Sequence, residues 1–534
     1  RVWPRTEPVG FKRVTDRHLL TIDLGTSGPK AAVVTTTGGL AGTARASVAT
    51  TFGKDGAAEQ DAEGVWRATL DAAGRALRAA RLESSSVVGV VASAQYSSIV
   101  PVAADGTPVA PMVTWMDQRG SPKRLRRLPG YPRGGDGPLN LARFLRVHGL
   151  APVSAGMSLT HMRWLRFADP DCYARTAAFL EPVDYLVARF SGRLTANQCS
   201  SFMQMLADNR TVPSEGWHPG LVAASMIDPG KLPEPVPTGS VVGPLRREVA
   251  EELGLAAGTP VVSGLNDTQA GAVAAGTFSG THAGLALGTT SVIVAPMAKK
   301  KVNPVRSLYT MPNPLGGSHL LSAENGPAGA AVDHMLDRVV YPDDPFATPP
   351  TVEDRYRALD AAAASSPPGA NGVLFLPWLR GSLAPRADGR MRGGFLGVGL
   401  DTTRADLARA VLEGVALNLR WLQRHVERFL GHPISHYAFY GGGARSDLWS
   451  RVMADVLGKP VHQLAGAGYV NSIGTALFGF HHLEIVSATD HRPAVRAVHD
   501  PDPAHDERYE ELAAVFTDAF KRTRPLDHRL ARRS

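Results

Sequence analysis

An acid followed by small residues, between two apolar runs near the start of the chain, is the first pattern that could do chemistry. Residues 19–24 are predicted to form a buried strand that carries Asp23 near its end, and Gly25-Thr26-Ser27-Gly28 to form a tight turn. Glycine N–H groups and the hydroxyls of Thr26 and Ser27 suit a phosphate, and the carboxylate of Asp23 suits a hydrated Mg²⁺. An ordinary β-hairpin has the same pattern, so this stretch alone leaves both interpretations open.

A second candidate phosphate site lies at residues 440–461, where an apolar strand runs into three glycines and then into a helix. Gly442 and Gly443 lack Cβ atoms that would obstruct the backbone N–H groups there, and Ser446 stands at the predicted helix start. This arrangement predicts an anion or nucleotide site, with a tight strand-to-helix connection as the alternative.

A candidate proton acceptor, Asp267, follows the apolar strand predicted at residues 261–265. Small residues come after it and predict a helix. A carboxylate at this point could accept a proton from a substrate hydroxyl in a cleft. The competing role is that of a plain helix N-cap.

These residues need elements to position them, and the sequence predicts short apolar strands that alternate with Ala/Leu-rich helices. That alternation indicates an α/β fold. One long helix has a capping-box start at Thr403 and Asp406, and its apolar residues recur at three- and four-residue steps. This spacing is typical of a core helix rather than a membrane helix.

The strand, Leu-Gly-Thr turn and strand around Asp23 recur about half a chain later, through Gly288 and Thr289. Two such hairpins predict two similar domains that face each other across a cleft, each with a phosphate-binding turn. A chain of 534 residues is also too long for a single core. The predicted division is an N-terminal tail (1–18), a first domain (19–260), a second domain (261–500) and a C-terminal helix or tail (501–534).

Composition limits the classes of partner and the compartment. The formal net charge is +8, and residues 118–137 form a basic loop that would suit nucleic acid. Because the loop lacks zinc-finger spacing and has few aromatic residues, we favour an anionic small substrate and no nucleic acid. Cys172 and Cys199 are the only cysteines, which argues against a disulfide framework or a zinc site. Without a signal-peptide pattern or a long apolar run, we expect a cytoplasmic protein that contacts no membrane.

Five motifs, taken in order and at their separations, resemble one known family. They are Asp23-Leu-Gly-Thr-Ser, the stretch 264–267, Leu287-Gly-Thr-Thr, the stretch 393–413 and Gly441-Gly-Gly-Ala-Arg-Ser. Together they are similar to the FGGY carbohydrate kinases, and within that family to the xylulokinase branch. The resemblance covers roughly residues 19–480.

The resemblance implies two RNase-H-like domains of the actin-like ATPase fold, which close on ATP, Mg²⁺ and a small sugar or polyol. It assigns the catalytic base to Asp267 and the acid near Mg²⁺ to Asp23. It assigns the phosphate and nucleotide contacts to Thr26, Ser27, Gly288, Thr289, Gly442, Gly443 and Ser446. These residues suffice in principle, because in phosphoryl transfer the protein mainly aligns the reactants and neutralises charge.

The sugar side departs from the family pattern, which has Gln-Met-His where this chain has Gln95-Tyr96-Ser97. A hydroxyl therefore replaces an imidazole that is expected to bind the sugar, and the identity of the sugar is left open. Trp115 and Asp117 follow the family's Trp-x-Asp-x-Arg pattern and are the further candidates for substrate binding.

Each of these candidates also has a structural interpretation. Trp115 could be a core aromatic residue, and Asp117 could simply pair with Arg119. We expect Lys30 to be a solvated strand residue rather than a phosphate ligand.

Three functions follow from these patterns. The first is an ATP-dependent kinase for a ketopentose such as xylulose or a related polyol, with ribulose, glycerol or erythritol as alternative acceptors. The second is a non-catalytic ATP-binding regulator of the same fold, and retention of Asp267 argues against it. The third is a nucleic-acid-binding protein that uses the basic loop. The oligomeric state is left open, with a homodimer as one alternative.

Overall fold

The computed structural model describes residues 17–132, 136–342 and 354–531. Most of the predicted N-terminal tail and three residues of the basic loop lie outside these ranges. No helix within the described ranges is long and apolar enough to cross a membrane.

The strands pair into two large sheets and several small ones. In chain order they are β1 (His18–Gly25), β2 (Gly28–Thr35), β3 (Leu40–Arg45), β4 (Thr51–Phe52), β5 (Ala58–Gln60), β6 (Val87–Ala94), β7 (Val100–Val102), β8 (Met112–Val113), β9 (Ala178–Leu180), β10 (Thr195–Ala196), β11 (Glu234–Pro235), β12 (Val241–Pro244), β13 (Pro260–Asn266), β14 (Ala283–Leu287), β15 (Thr290–Met297), β16 (Val302–Asn303), β17 (Leu308–Pro312), β18 (His319–Pro327), β19 (Leu374–Leu376), β20 (Gly394–Leu396), β21 (Tyr437–Tyr440), β22 (Val461–Leu464) and β23 (Val495–His499).

The helices surround and separate these sheets. In chain order they are α1 (Ala62–Ala80), α2 (Pro122–Leu125), α3 (Pro138–Val147), α4 (Ser158–Ala168), α5 (Pro170–Arg175), α6 (Pro182–Ser191), α7 (Pro219–Ser225), α8 (Arg247–Leu253), α9 (Asp267–Ala274), α10 (Gly329–Met335), α11 (Arg355–Ala364), α12 (Arg404–Leu430), α13 (Asp447–Leu457), α14 (Val470–His482) and α15 (Asp506–Leu530).

The two large sheets contain the same five-strand arrangement. In the first sheet, β3, β2 and β1 are antiparallel neighbours, and β6 and β13 then continue parallel to β1. In the second sheet, β18, β15 and β14 are antiparallel, and β21 and β22 continue parallel to β14. The α/β fold and the internal repeat predicted from the sequence are therefore confirmed.

The strand β13 corrects the predicted division of the chain at residue 260. It lies in the first sheet, where it pairs parallel to β6 and antiparallel to β12. The first sheet therefore extends to Asn266, and the connection to the second sheet begins with α9. The apolar run at residues 261–265 is buried in the first sheet.

Two helices, α9 and α14, pack closely between the sheets. A Cβ atom at Gly474 of α14 would lie 1.8 Å from the carbonyl oxygen of Ala270 in α9, so only glycine permits this approach. The other end of α14 reaches the first sheet, where Phe478 joins Leu19 and Val91 in one apolar cluster. A helix that follows β22 of the second sheet thus packs on the first sheet.

The long helix α12 forms the centre of the second core. Its predicted capping box is confirmed, since Thr403 accepts from the N–H of Asp406 and the Asp406 side chain accepts from Thr403. The C-terminal helix α15 packs on the same core through Phe516 and Phe520, and both rings contact Trp378. Residues 506–530 are therefore part of the second domain rather than a separate tail.

Candidate active site

The turn between β1 and β2 is the two-residue hairpin expected from the sequence. Gly25 pairs with Gly28, which leaves Thr26 and Ser27 at the tip. A Cβ atom at Gly28, whose φ is +131°, would lie 2.2 Å from the carbonyl oxygen of Ala46. Only glycine therefore permits this turn.

The second turn, at Gly288 and Thr289, joins β14 to β15 and is exposed at its tip. Backbone bonds secure it to the start of α10, because Gly329 donates to the carbonyl of Gly288 and Ala328 to that of Thr289. A Cβ atom at Gly329 would lie 2.6 Å from the Gly288 carbonyl oxygen. The helix start thus lies directly against the turn.

The third glycine-rich segment follows β21 and lies beside the second turn. A Cβ atom at Gly441 would lie 2.6 Å from the carbonyl oxygen of Leu287, and one at Gly443 would lie 2.2 Å from the Leu287 side chain. Gly442 is exposed. The structure therefore brings together two of the predicted nucleotide motifs that are about 150 residues apart in the sequence.

Ser446 is the N-cap of α13, and its hydroxyl oxygen accepts from the N–H of Trp449 at 2.9 Å. Its side chain also hydrogen-bonds to Asp360. These bonds fix the start of α13 beside the glycines.

Asp267 is the first residue of α9 and not its cap. The N-cap is Asn266, which accepts from the N–H of Gln269 in a complete capping box. The Asp267 carboxylate accepts from the N–H of Thr268 at 2.7 Å. The N-cap interpretation of Asp267 is therefore wrong, and its carboxylate is available for another role.

The environment of Asp267 favours a protonated carboxyl group. Burial and the charge of Asp23 raise its pKa to about 7, and Glu324 contributes in the same direction. Hydrogen bonds from Thr268 oppose this shift without cancelling it. The carboxyl group can thus change protonation state near neutral pH.

Asp23 is 2% exposed at the end of β1 and receives three weak contacts. Lys30 lies 3.5 Å from Oδ2, while the side chains of Ser93 and Asn471 donate to Oδ1 at 3.4 Å. Because Asn471 lies on α14, Asp23 also lies at the junction between the two halves of the molecule.

Lys30 is predicted to be a solvated strand residue rather than a phosphate ligand, and the structure confirms its place in a strand and adds a contact that the prediction lacks. Its side chain is 39% exposed and its ammonium group pairs with Asp23. The signal was present in the sequence, because a two-residue hairpin places Lys30 directly opposite Asp23. Asn471 and Glu324 were also missed, and their positions depend on contacts that no local pattern encodes.

Thr26 connects the first turn to the predicted sugar-binding residues. Its hydroxyl donates to Gln95 Oε1 at 2.7 Å and accepts from the indole N–H of Trp115 at 3.1 Å. The side chain of Gln60 donates to the Thr26 carbonyl at 2.8 Å and lies 3.5 Å from Gln95 Nε2. Gln95 and Trp115 therefore both contact the turn, and Trp115 is half-buried rather than a core residue.

Tyr96 and Ser97 follow Gln95 on the same loop. The pKa of Tyr96 is raised by burial and by the charges of Glu324 and Asp267, while its hydroxyl bonds to the Thr268 side chain. The phenol is therefore a close neighbour of Asp267. Ser97 is 5% exposed and has a φ of +63°, a conformation that few residues other than glycine adopt.

Asp117 is fully buried, and its carboxylate is bound by other groups of the protein. It accepts from the N–H groups of Ala58 at 2.9 Å and Arg119 at 2.8 Å, and it pairs with the Arg119 guanidinium at 2.7 Å. That guanidinium also stacks on Trp164. The geometry favours the pairing interpretation over direct substrate contact by Asp117.

Within the part of the chain that the structure describes, no group of three His, Cys, Asp or Glu side chains could hold a metal ion alone. A metal at Asp23 would need further ligands from a substrate or water. This is how Mg²⁺ is ordinarily bound in phosphotransferases.

The comparisons with known proteins agree with this geometry. The family models for the N- and C-terminal domains of the FGGY family of carbohydrate kinases match residues 18–274 and 283–483. The xylulose kinase of Staphylococcus epidermidis is 24% identical over 520 residues, covering 95% of this chain and 97% of that one. The autoinducer-2 kinase of Yersinia enterocolitica is 26% identical over 410 residues, covering 76% and 75%.

A solved xylulose kinase from Lactobacillus acidophilus has the same fold. It superposes with a TM-score of 0.81 at 17% identity, and the match covers 95% of this chain and 98% of that one. The family models over both halves of the chain and the xylulose kinase relatives identify a phosphotransferase with an alcohol acceptor. The chain belongs to the FGGY family of carbohydrate kinases and is an ATP-dependent sugar kinase.

Proposed function

We propose that this kinase transfers the γ-phosphate of ATP to a hydroxyl of a ketopentose or related polyol, with Asp267 as the general base. The observation that carries the proposal is the half-buried carboxyl of Asp267, whose pKa is raised to about 7 by desolvation and by the charge of Asp23. A base is most effective when its pKa lies near the working pH. An ordinary surface aspartate would be a far weaker proton acceptor.

Asp23 would hold Mg²⁺ together with phosphate oxygens and water. The residues fit such an ion, because the carboxylates of Asp23 and Asp267 concentrate negative charge there and, among the described residues, the one ion pair of Asp23 is a weak contact with Lys30 at 3.5 Å. Bound Mg²⁺ would neutralise charge on the phosphates during transfer. Lys30 supplies a second positive charge beside the first turn.

The nucleotide is proposed to lie along the two glycine turns of the second half. Gly288 and Thr289 offer an exposed turn, and Gly442 and Gly443 stand next to it before α13. Backbone N–H groups there can reach phosphate and ribose without obstruction by side chains. In this proposal Ser446 shapes the site by capping α13 rather than by a contact of its own.

The acceptor is proposed to bind between Gln95, Tyr96 and Trp115, with Ser97 behind them. Thr26 links this group to the phosphate turn through both of its hydroxyl hydrogen bonds. Because the hydroxyl of Ser97 replaces an imidazole, we infer that D-xylulose is not the best acceptor. Ribulose, glycerol and erythritol are the alternatives. The two relatives are themselves named for different substrates, xylulose and autoinducer-2.

The proposal is tested by an ADP-release screen over D-xylulose, L-xylulose, the ribuloses, glycerol, erythritol and other polyols. We expect polyol-dependent ADP release for at least one acceptor and a dependence on Mg²⁺. ATP binding without release for any acceptor would instead support the non-catalytic regulator. Salt-sensitive binding of DNA or RNA would support the nucleic-acid alternative.

A further inference from the structure

A basic pocket of roughly 600 Å³ lies between the two halves of the molecule and contains none of the candidate active-site residues. The first half contributes Arg146 at the end of α3 and the loop 210–212. The second half contributes residues 298–300, between β15 and β16, and Gly317 and His319 at the start of β18. We name this the junction pocket.

Hydrogen bonds between the two halves of the molecule stabilise the junction pocket. The ammonium group of Lys300 donates to the carbonyls of Leu145 and Arg146, at 2.9 and 3.0 Å, across the boundary between the halves. Asn209 donates to the carbonyls of His148 and Thr310, again one from each half. These hydrogen bonds fix the segments that line the pocket relative to each other.

The charge of the junction pocket is strongly positive. Arg146, Arg210, Lys299 and Lys300 line it, and none of the other lining residues is acidic. The carboxylate of Asp208 pairs with Arg210 at 2.6 Å and also acts on the more distant Lys300, so it offsets part of this charge. Among the described residues, Arg146 and Lys299 are exposed and their side chains have no hydrogen-bond or ion-pair partner.

Concentrated positive charge that acidic side chains compensate only in part favours an anionic ligand. The pocket volume lies in the range of small-molecule sites. A pocket of this volume is too small for a nucleic-acid duplex. Guanidinium and ammonium groups together are the usual partners of phosphate, since arginine binds it with paired N–H groups.

We propose that the junction pocket binds a small phosphorylated molecule, with Arg146 and Lys299 as its main contacts. These two residues come from different halves, so an occupant connects the halves away from the cleft. Binding should therefore stabilise the folded protein and bias the relative position of the two domains. The inference rests on the pocket alone and does not depend on which polyol is phosphorylated.

The test is calorimetric titration with inorganic pyrophosphate in Mg²⁺-free buffer at low salt. Three proteins are compared: the parent, Arg146→Ala/Lys299→Ala, and the control Arg78→Ala/Lys521→Ala. The control removes two exposed positive charges outside the junction pocket, so both variants have the same net charge. Binding at the phosphate turns of the cleft should be equal in all three.

We expect the parent and the control to bind pyrophosphate at one more site than the junction-pocket variant, or with at least about tenfold higher affinity. Thermal unfolding should show a corresponding rise in melting temperature with pyrophosphate in the parent and the control only. Equal titrations in all three proteins, or no binding by the parent, would overturn the proposal. If the alanine variant is unstable, Arg146→Gln/Lys299→Gln gives the same comparison.

Discussion

The indole N–H of Trp115 donates to the hydroxyl oxygen of Thr26 at 3.1 Å, and this bond joins the proposed sugar pocket to the first phosphate turn. The same hydroxyl donates to Gln95. A change in the acceptor pocket is therefore transmitted directly to the turn that is expected to contact phosphate.

Trp115→Phe keeps an aromatic ring but removes the N–H donor to Thr26. We expect kcat/KM for the polyol to fall by about 2- to 10-fold, the usual value of one hydrogen bond. Trp217→Phe is the matched control, because its indole N–H also loses a bond, to Pro233, but away from the site. Equal effects in the two variants would show that the Trp115 bond serves stability only.

Lys30→Met removes the positive charge beside Asp23 and preserves most of the side-chain length. We expect kcat/KM for MgATP to fall by about 10- to 100-fold, because a charged contact to phosphate is lost. Lys54→Met, at an exposed position of the same domain, is the control. Kinetics equal to those of the control would support the prediction that Lys30 is a solvated strand residue and not a phosphate ligand.

The sequence predicts those parts of the site that depend on residues close together along the chain. The glycine turn at Gly25–Gly28 and the capping box at Thr403 are local, and the structure has them as predicted. The contacts of Asp23 with Ser93 and Asn471 and the burial of Asp117 depend on side chains from distant elements, and no residue spacing encodes them. The error at residue 260 has the same cause, because β13 pairs with β6 about 170 residues earlier.

Ser97 is predicted to determine acceptor choice. In Ser97→His we expect kcat/KM for D-xylulose to rise relative to the best polyol of the parent, by about 5- to 100-fold, because a buried hydroxyl regains a partner. The φ of +63° at this position is one that histidine tolerates. Ser97→Ala is the control and should weaken the best polyol without improving D-xylulose. If D-xylulose already leads in the parent and histidine changes nothing, the departure from the family motif is neutral.

The raised pKa of Asp267 predicts a specific pH profile. The carboxylate must be ionised to accept a proton, so kcat/KM should rise with pH up to about 7 and then level off. In Asp23→Asn the rise should move to lower pH, because the charge of Asp23 is one of the causes of the raised pKa. A rise centred near pH 4 in the parent would mean that the environment does not shift this pKa.

The same pKa links Asp267 to stability. Its folded-state pKa of about 7 lies above its unfolded-state value near 4, so the folded protein binds more protons between these values. Stability therefore falls as the pH rises from about 4 to about 7. Asp267→Asn removes this dependence, and its melting temperature should exceed that of the parent at pH 8 by more than it does at pH 5. An equal difference at both pH values would contradict the link.

The most direct test of the account is the turnover of Asp267→Asn with the best acceptor of the polyol screen. The amide preserves the shape of the side chain but cannot accept a proton, so we expect turnover to fall by about 10²- to 10⁴-fold. ATP affinity should remain close to that of the parent, and Asp71→Asn, an exposed carboxylate paired with Arg75, should have normal turnover. Turnover near that of the parent in Asp267→Asn would contradict the assignment of the base.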